Sequence, residues 1–279
     1  MDWKLTAACA AALAAMGFAP APPASAPTGH GVAPAAPAPM APAPRGPQYY
    51  LTGPAVPDTL RILPPAPQAG DARYEADRQM FKATRKLEGS PRWALALNDD
   101  NGGLYLKDLS CALGVELTRQ NAPKFLTLYS RVARESTRAT NAPKDAMKRL
   151  RPFLVDKGPT CIDQTGSIKD SYDYPSGHVT FSWSEALILA ELAPDRATDI
   201  LIRARAFGES RLVCGVHNMS AVESGRTNAS VLVAALHGSP EFRADLEAAR
   251  SEIAAARKAG PAPDPAQCAK DAELLKSPY

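Results

Sequence analysis

The stretch PSGHVTFSWSEALILAELA, residues 175–193, decides the fold that this sequence predicts. From residue 179 onward, a helix drawn on it is apolar on nearly every side, and such a helix is stable in water only when other elements bury it. The Pro-Ser-Gly before it is typical of the residues at the start of a helix. We therefore expect a central, buried helix that begins close to His178.

Two other segments also show helical periodicity. Asn121 is expected to cap the first, and Ser239 with Pro240 opens the second, which Gly260 ends. The apolar residues at helical spacing are Phe125, Leu128, Tyr129 and Val132 in the first segment and Phe242, Leu246, Ala249 and Ile253 in the second. Alternation with a period of two residues is scarce, so the sequence predicts an all-α fold.

Length and composition limit the function classes. The 279 residues are 45% hydrophobic and 22% charged, which suits a single domain with one substantial core. The formal net charge is only +3, and no run of Lys or Arg interleaved with aromatic residues occurs. Binding of a nucleic-acid polymer is therefore disfavoured.

The N-terminal residues are typical of an exported chain. Lys4 precedes an apolar run over residues 5–15 that is too short to span a bilayer. We predict a signal peptide over residues 1–26, with cleavage at Ala24-Ser25-Ala26 or nearer Ala19 left open, and no stable membrane anchor. Residues 27–48 are rich in proline and alanine and predict a disordered linker, so the folded domain should occupy residues 49–279.

Four cysteines remain in the predicted folded domain: Cys111, Cys161, Cys214 and Cys268. An even number in an exported chain favours two disulfides, and the sequence leaves three connectivities open. Buried free thiols are the alternative.

Lys144 and Arg151 are the first two candidates for binding an anion. They are seven residues apart, which is almost two helical turns, so on one helix both side chains would leave the same face. Pro152 marks an expected helix end just beyond them. Alone, such a pair is more often part of a solvated surface.

Ser176, Gly177 and His178 form the second element. They precede the buried helix, where unpaired backbone N–H groups and the positive end of the helix dipole favour a bound anion. Glycine permits close approach of the backbone, and a histidine there could protonate a leaving oxygen. The alternative is that these residues only start the helix.

Ser210-Arg211 and His217 form the third element. Gly215 lies between them, so a turn must bring the arginine and the histidine together. An arginine fork holds two phosphoryl oxygens well, and an imidazole is a competent nucleophile toward phosphorus.

In this order, the three elements resemble the signature of the bacterial class A non-specific acid phosphatases, within the type 2 phosphatidic acid phosphatase and vanadium haloperoxidase superfamily. The resemblance covers residues 49 to about 259. It implies a single helical-bundle domain of the acid phosphatase/vanadium haloperoxidase type, with residues 49–279 as the catalytic domain. It also implies a periplasmic or secreted enzyme that needs no metal or other cofactor, and such relatives are often homo-oligomers.

The resemblance implies hydrolysis of small phosphate monoesters through a phosphohistidine, over a broad substrate range, with phosphate as product and inhibitor. It makes His217 the nucleophile and His178 the general acid. The phosphate-binding residues that it implies are Lys144, Arg151, Ser176, Gly177 and Arg211. Because His178 must be protonated while His217 must be neutral, we expect a bell-shaped, mildly acidic pH optimum.

One position departs from the signature, which has an aspartate four residues after the nucleophile to orient its ring. This chain has Ala221 there. Our hypothesis is that Ser220, Ser224, a backbone carbonyl or water accepts the ring N–H, with some loss of rate. A weakly active or non-catalytic phosphate-binding protein is therefore one alternative, and a nucleotide-hydrolysing (apyrase-like) or phosphotransferase enzyme is another.

Overall fold

The computed structural model describes residues 49–279, and every regular element in that part of the chain is helical, which confirms the all-α fold. The predicted signal peptide and linker, residues 1–26 and 27–48, lie outside the described residues. In chain order the helices are α1 (Thr59–Ile62), α2 (Ala72–Thr84), α3 (Pro91–Asn98), α4 (Tyr105–Asp108), α5 (Ser110–Leu113), α6 (Pro123–Met147), α7 (Pro152–Val155), α8 (Gly166–Asp170), α9 (Gly177–Leu192), α10 (Ala197–Val213), α11 (Met219–Leu236), α12 (Pro240–Ala259) and α13 (Pro265–Leu274). Short 3-10 turns are found at Gly53–Ala55, Arg85–Leu87, Gly102–Leu104 and Pro194–Arg196.

Helix α9 is the central helix, as the sequence predicts. It packs against α6, α10 and α11, and its residues Val179, Ile188 and Leu189 are almost wholly buried. The same core contains Tyr105 and Phe207, whose rings meet edge to face with centroids 4.6 Å apart. Because α9 is held on several sides, its N-terminus is a fixed point on which a site can be built.

One of the two predicted helix caps is confirmed and the other is wrong. Ser239 caps α12, since its side chain accepts the Phe242 N–H. Helix α6 instead has Ala122 at its N-cap position. The side chain of Asn121 accepts the Thr118 N–H at 2.7 Å, so it stabilises the preceding turn and is not available to the helix.

Lys144 and Arg151 do not share a helix face, so that expectation is wrong. Helix α6 ends at Met147, and Lys148 takes a left-handed φ of 45°. Arg151 has extended backbone, with ψ 152°, and Pro152 begins α7. The left-handed Lys148 ends α6 and Arg151 is extended, so one continuous helix does not include both cations.

The four cysteines form two disulfides, which confirms the prediction and selects one connectivity. Cys111 pairs with Cys268, and Cys161 pairs with Cys214. The first ties α13 to α5. The second ties the loop before α8 to the residue that follows α10, three residues before His217.

None of the helices within residues 49–279 combines the length and the hydrophobicity needed to cross a bilayer.

Glu185 is a buried carboxyl group in the middle of α9. Its exposure is 0%, and within residues 49–279 neither carboxyl oxygen has a hydrogen-bond partner. Burial raises the pKa of this group well above 4.5, so the folded protein keeps it protonated. Above that pH the unfolded chain loses the proton and the folded chain retains it. Stability from this group is therefore fully present below pH 4.5 and falls as the pH rises.

We expect Glu185→Gln to remove this pH dependence. The free energy of unfolding of the variant, relative to the original protein, should increase by about 1.4 kcal/mol per pH unit above pH 5, until the folded-state pKa is reached. Urea unfolding at several pH values measures this. Glu223→Gln, at an exposed position of α11, is the control and should show no such trend. A difference that stays constant with pH for Glu185→Gln would contradict the prediction.

Candidate active site

His217 lies in a turn just beyond the end of α10. Gly215 supplies the turn with a left-handed φ of 80°, and a Cβ atom there would lie 2.3 Å from the guanidinium of Arg85. The N–H of Val216 donates to the carbonyl of Arg211 at 3.1 Å and closes the turn. The turn expected from the spacing of Arg211 and His217 is therefore present.

Arg151 contacts His217 directly. Its Nη1 donates to the Val216 carbonyl at 2.7 Å and lies 3.2 Å from Nε2 of His217. Its other nitrogens donate to the backbone and hydroxyl of Ser171, which hold the guanidinium in place. A guanidinium only donates, so this contact requires a lone pair on Nε2. The nitrogen that faces Arg151 is therefore the one with the lone pair.

Asp173 orients the imidazole from the other side. Its Oδ1 lies 2.9 Å from Nδ1 of His217, and the same carboxylate accepts from the backbone and side-chain amides of Asn218 at 3.1 and 2.8 Å. These bonds make the carboxylate an acceptor, so Nδ1 carries the proton. Together, Asp173 and Arg151 specify one tautomer, with Nδ1 protonated and Nε2 unprotonated.

This contact overturns the hypothesis of a substitute acceptor, because the carboxylate of Asp173 already accepts the ring N–H. The hydroxyl of Ser220 donates to Asp77 at 2.6 Å instead, and that of Ser224 bonds with the hydroxyl of Tyr174. Asp173 is not among the site residues that the sequence motifs predict. Its position two residues before the Pro-Ser-Gly segment was the available signal, since that segment must pass close to both histidines.

Ala221 has a structural role in the same region. It is wholly buried, packs against Tyr174, and its carbonyl accepts the Ser176 N–H at 2.9 Å. It therefore joins the start of α11 to the segment that carries Ser176, Gly177 and His178. The orienting carboxylate comes from position 173 and not from position 221.

His178 and Arg211 meet at a loop that follows α3. Nε2 of His178 lies 3.2 Å from the backbone oxygen of Asp100, and Nη2 of Arg211 donates to the carboxylate of Asp100 at 2.6 Å. Arg211 also donates to the carbonyl of Asp99 at 3.4 Å. The proposed acid and the proposed phosphate-binding arginine thus share one neighbour.

Ser176 and Gly177 start α9 as expected. Ser176 is the N-cap, and its hydroxyl oxygen accepts the Val179 N–H. Because the Ser176 N–H is bonded to Ala221, this residue offers an anion its hydroxyl hydrogen, not its backbone. Gly177 is the first residue of the helix, where N–H groups have no partner within the helix.

The cations of this site are strongly desolvated. Burial, with a contribution from Arg151, lowers the pKa of Lys144 to about 8, and burial lowers that of Arg151 to about 10. Lys144 donates to the carbonyl of Tyr172, close to Asp173. Burial lowers the pKa of His217 well below its ordinary value, and the charge of Arg211 lowers that of His178 to about 3. The site therefore favours a bound anion, which would offset the mutual repulsion of these groups.

Within residues 49–279, no three His, Cys, Asp or Glu side chains converge as metal ligands would. Independence from metals and cofactors stays a prediction. The residues brought together are instead two histidines, three cations and one helix N-terminus.

Comparison with known proteins places this chain in a family. Residues 126–243, which include every predicted site residue, match the PAP2 superfamily. The chain is 43% identical over 215 residues to an acid phosphatase of Zymomonas mobilis, covering 76% of this chain and 81% of that protein. This chain belongs to the PAP2 superfamily. Within it, the chain is also 33% identical over 214 residues to a non-specific acid phosphatase of Providencia stuartii, covering 75% and 86% of the two chains.

A third relative is a non-specific acid phosphatase of Salmonella typhimurium, 30% identical over 195 residues that cover 68% of this chain and 78% of the relative. The resemblance read from the motifs is therefore confirmed, and the chain is an enzyme of the acid phosphatase group of the PAP2 superfamily.

Proposed function

We propose that this enzyme hydrolyses small phosphate monoesters through a phosphohistidine on His217, without a metal ion. The observation that carries the proposal is the position of the His217 ring, with Nδ1 2.9 Å from the Asp173 carboxylate and Nε2 3.2 Å from the Arg151 guanidinium. A buried imidazole with its lone pair among cations is suited to attack a phosphorus atom.

In the first step, Nε2 of His217 forms a bond to phosphorus and the bond from phosphorus to the ester oxygen breaks. His178 transfers a proton to that oxygen, so the alcohol leaves neutral. In the second step, a water molecule attacks phosphorus, the phosphorus–nitrogen bond breaks, and His178 takes a proton from the water. Phosphate leaves, and both histidines return to their starting states.

The phosphoryl oxygens would be held by Lys144, Arg151, Arg211, the Ser176 hydroxyl and the first amide of α9, at Gly177. Phosphoryl transfer depends mainly on positioning and on neutralising charge over these oxygens. All three cations are fixed by hydrogen bonds to the protein, so little reorganisation is needed when charge shifts during the reaction.

His178 needs its proton only in the complex. In the free site Arg211 lowers the pKa of His178 to about 3, so the imidazole is neutral at mildly acidic pH. A phosphate group would offset the charge of Arg211 and raise that pKa, so binding and proton uptake are coupled. This coupling supports the mildly acidic, bell-shaped optimum expected from the motifs. The two disulfides suit a periplasmic or secreted location, which we propose for the mature enzyme.

Trapping the intermediate tests the proposal. During turnover of 4-nitrophenyl phosphate with EDTA present, an alkaline quench and mass spectrometry of peptides should find one phosphoryl group, on His217. Turnover should survive EDTA and should vanish in His217→Ala, which is the matched control. A phosphoryl group on another residue, or activity that EDTA abolishes, would contradict the mechanism.

A further inference from the structure

Asp100 places a carboxylate within the proposed phosphate site. It lies in the loop between α3 and the 3-10 turn Gly102–Leu104, and its Oδ1 accepts from Nη2 of Arg211 at 2.6 Å. Arg211 is wholly buried, and within residues 49–279 its Nε has no hydrogen-bond partner. The Asp100 side chain is 29% exposed, so it stands where solvent meets the site.

The neighbouring Asp99 explains why Asp100 is held there. Asp99 is wholly buried and accepts from Arg203 at 2.5 and 3.3 Å and from the hydroxyl of Ser210 at 2.5 Å. These bonds fix the loop to α10. Asp99 therefore anchors the loop. Within residues 49–279, the carboxylate of the partly exposed Asp100 is bonded to Arg211 alone.

Asp100 also marks the side of the site from which the alcohol leaves. Its backbone oxygen lies 3.2 Å from Nε2 of His178, the proposed general acid. The leaving group must approach this imidazole, so it must pass close to Asp100. A carboxylate there attracts a cationic leaving group, accepts hydrogen bonds from a hydroxyl, and repels an anion.

We propose that Asp100 is a specificity-determining residue that selects phosphate monoesters with neutral or cationic leaving groups against those whose leaving group carries further phosphates. The proposal rests on the proposed function, because it uses the roles given there to Arg211 and His178. A phosphoryl group that enters the site replaces the Asp100 carboxylate as the partner of Arg211, so this carboxylate competes with every phosphate ligand. Once displaced from Arg211, it faces the leaving group and disfavours nucleoside di- and triphosphates.

Asp100→Asn tests this with little change of shape, since the amide oxygen still accepts from Arg211. We expect the ratio of kcat/KM for ATP to that for 4-nitrophenyl phosphate to rise about tenfold. The Kd for inorganic phosphate, measured by calorimetry, should fall several-fold. Asp100→Glu retains the charge and should keep the low ratio. Asp58→Asn removes an exposed carboxylate at the start of α1 and should change neither quantity.

An unchanged ratio in Asp100→Asn would overturn the inference, and so would the same increase in Asp58→Asn. Calorimetry keeps this failure separate from a failure of the proposed function. If phosphate binds more tightly to Asp100→Asn but no phosphohistidine forms on His217, the mechanism fails and the competition for Arg211 stands. If His217 is phosphorylated and the ratio is unchanged, only the role of Asp100 fails.

Discussion

Asp173→Asn should lower kcat by about a thousand- to ten-thousandfold while KM changes little. An asparagine amide in this place would donate to Nδ1 of His217 and move the ring proton to Nε2. The nucleophilic lone pair would then be lost, as happens when the aspartate of a serine protease triad is replaced by asparagine. Steady-state kinetics with 4-nitrophenyl phosphate measures the separate effects on kcat and KM, and calorimetry with phosphate should show that binding is retained.

Asp77→Asn is the matched control for this prediction. Asp77 is also a buried carboxylate, and it pairs with Arg149 and with the hydroxyl and N–H of Ser220. It lies one contact farther from the imidazole, because Arg149 stands between it and Asp173. We expect Asp77→Asn to reduce stability, with a much smaller effect on kcat. Equal losses of kcat in the two variants would mean that Asp173 acts only by supporting the fold.

Moving the carboxylate to position 221 provides the sharpest version of this test. The double variant Asp173→Ala/Ala221→Asp should have a kcat at least tenfold higher than that of Asp173→Ala, since position 221 is where the family signature has its orienting aspartate. Alone, Ala221→Asp should not raise turnover, because it would bury a second carboxylate, without a cation, beside the ring of Tyr174. A thousandfold gain from Ala221→Asp alone would show that Asp173 does not orient the ring.

The sequence predicts the residues of this site better than their arrangement. The sequence predicts Ser176, Gly177 and His178 at a helix start, because a helix start is a local feature that a few adjacent residues specify. The link between Arg211 and His217 is also local, through the turn at Gly215. The role of Asp173 is not local, since it depends on how a loop before α9 packs beside the turn that follows α10. The separation of 44 residues between Asp173 and His217 gives no signal of contact.

The other differences between the sequence predictions and the structure also arise from tertiary contacts or from breaks between helices. A spacing of seven residues places Lys144 and Arg151 on one face only if a single helix continues between them, and the left-handed conformation of Lys148 ends the helix before Arg151. The pairing of the cysteines likewise depends on tertiary distances, which the sequence leaves open among three connectivities. Burial of α9, in contrast, follows from its own composition, and the structure agrees with it.

The double variant Cys161→Ala/Cys214→Ala should lose about 4 kcal/mol of stability and a large part of its activity. The disulfide closes a loop with a sequence separation of 53, and the chain-entropy model assigns a loop of this size about that free energy. Cys214 also belongs to the turn that presents His217, where the Cys161 N–H donates to the Cys214 carbonyl at 3.0 Å. Urea unfolding and kcat, each compared with the unaltered protein, measure the two effects.

Cys111→Ala/Cys268→Ala is the matched control, and it separates two explanations of the loss. Its loop is longer, with a sequence separation of 157, so loop entropy alone would predict a larger effect of about 5 kcal/mol. That value assumes that both cysteines stay in place when the bond is removed. Helix α13 has no buried residue. Without the disulfide it should therefore become mobile in the folded protein, and the conformational entropy that it gains there would offset part of the loss of stability. We therefore expect the smaller loss of stability here, with kcat preserved. The opposite order would mean that loop length dominates and that the turn at Cys214 does not depend on its disulfide.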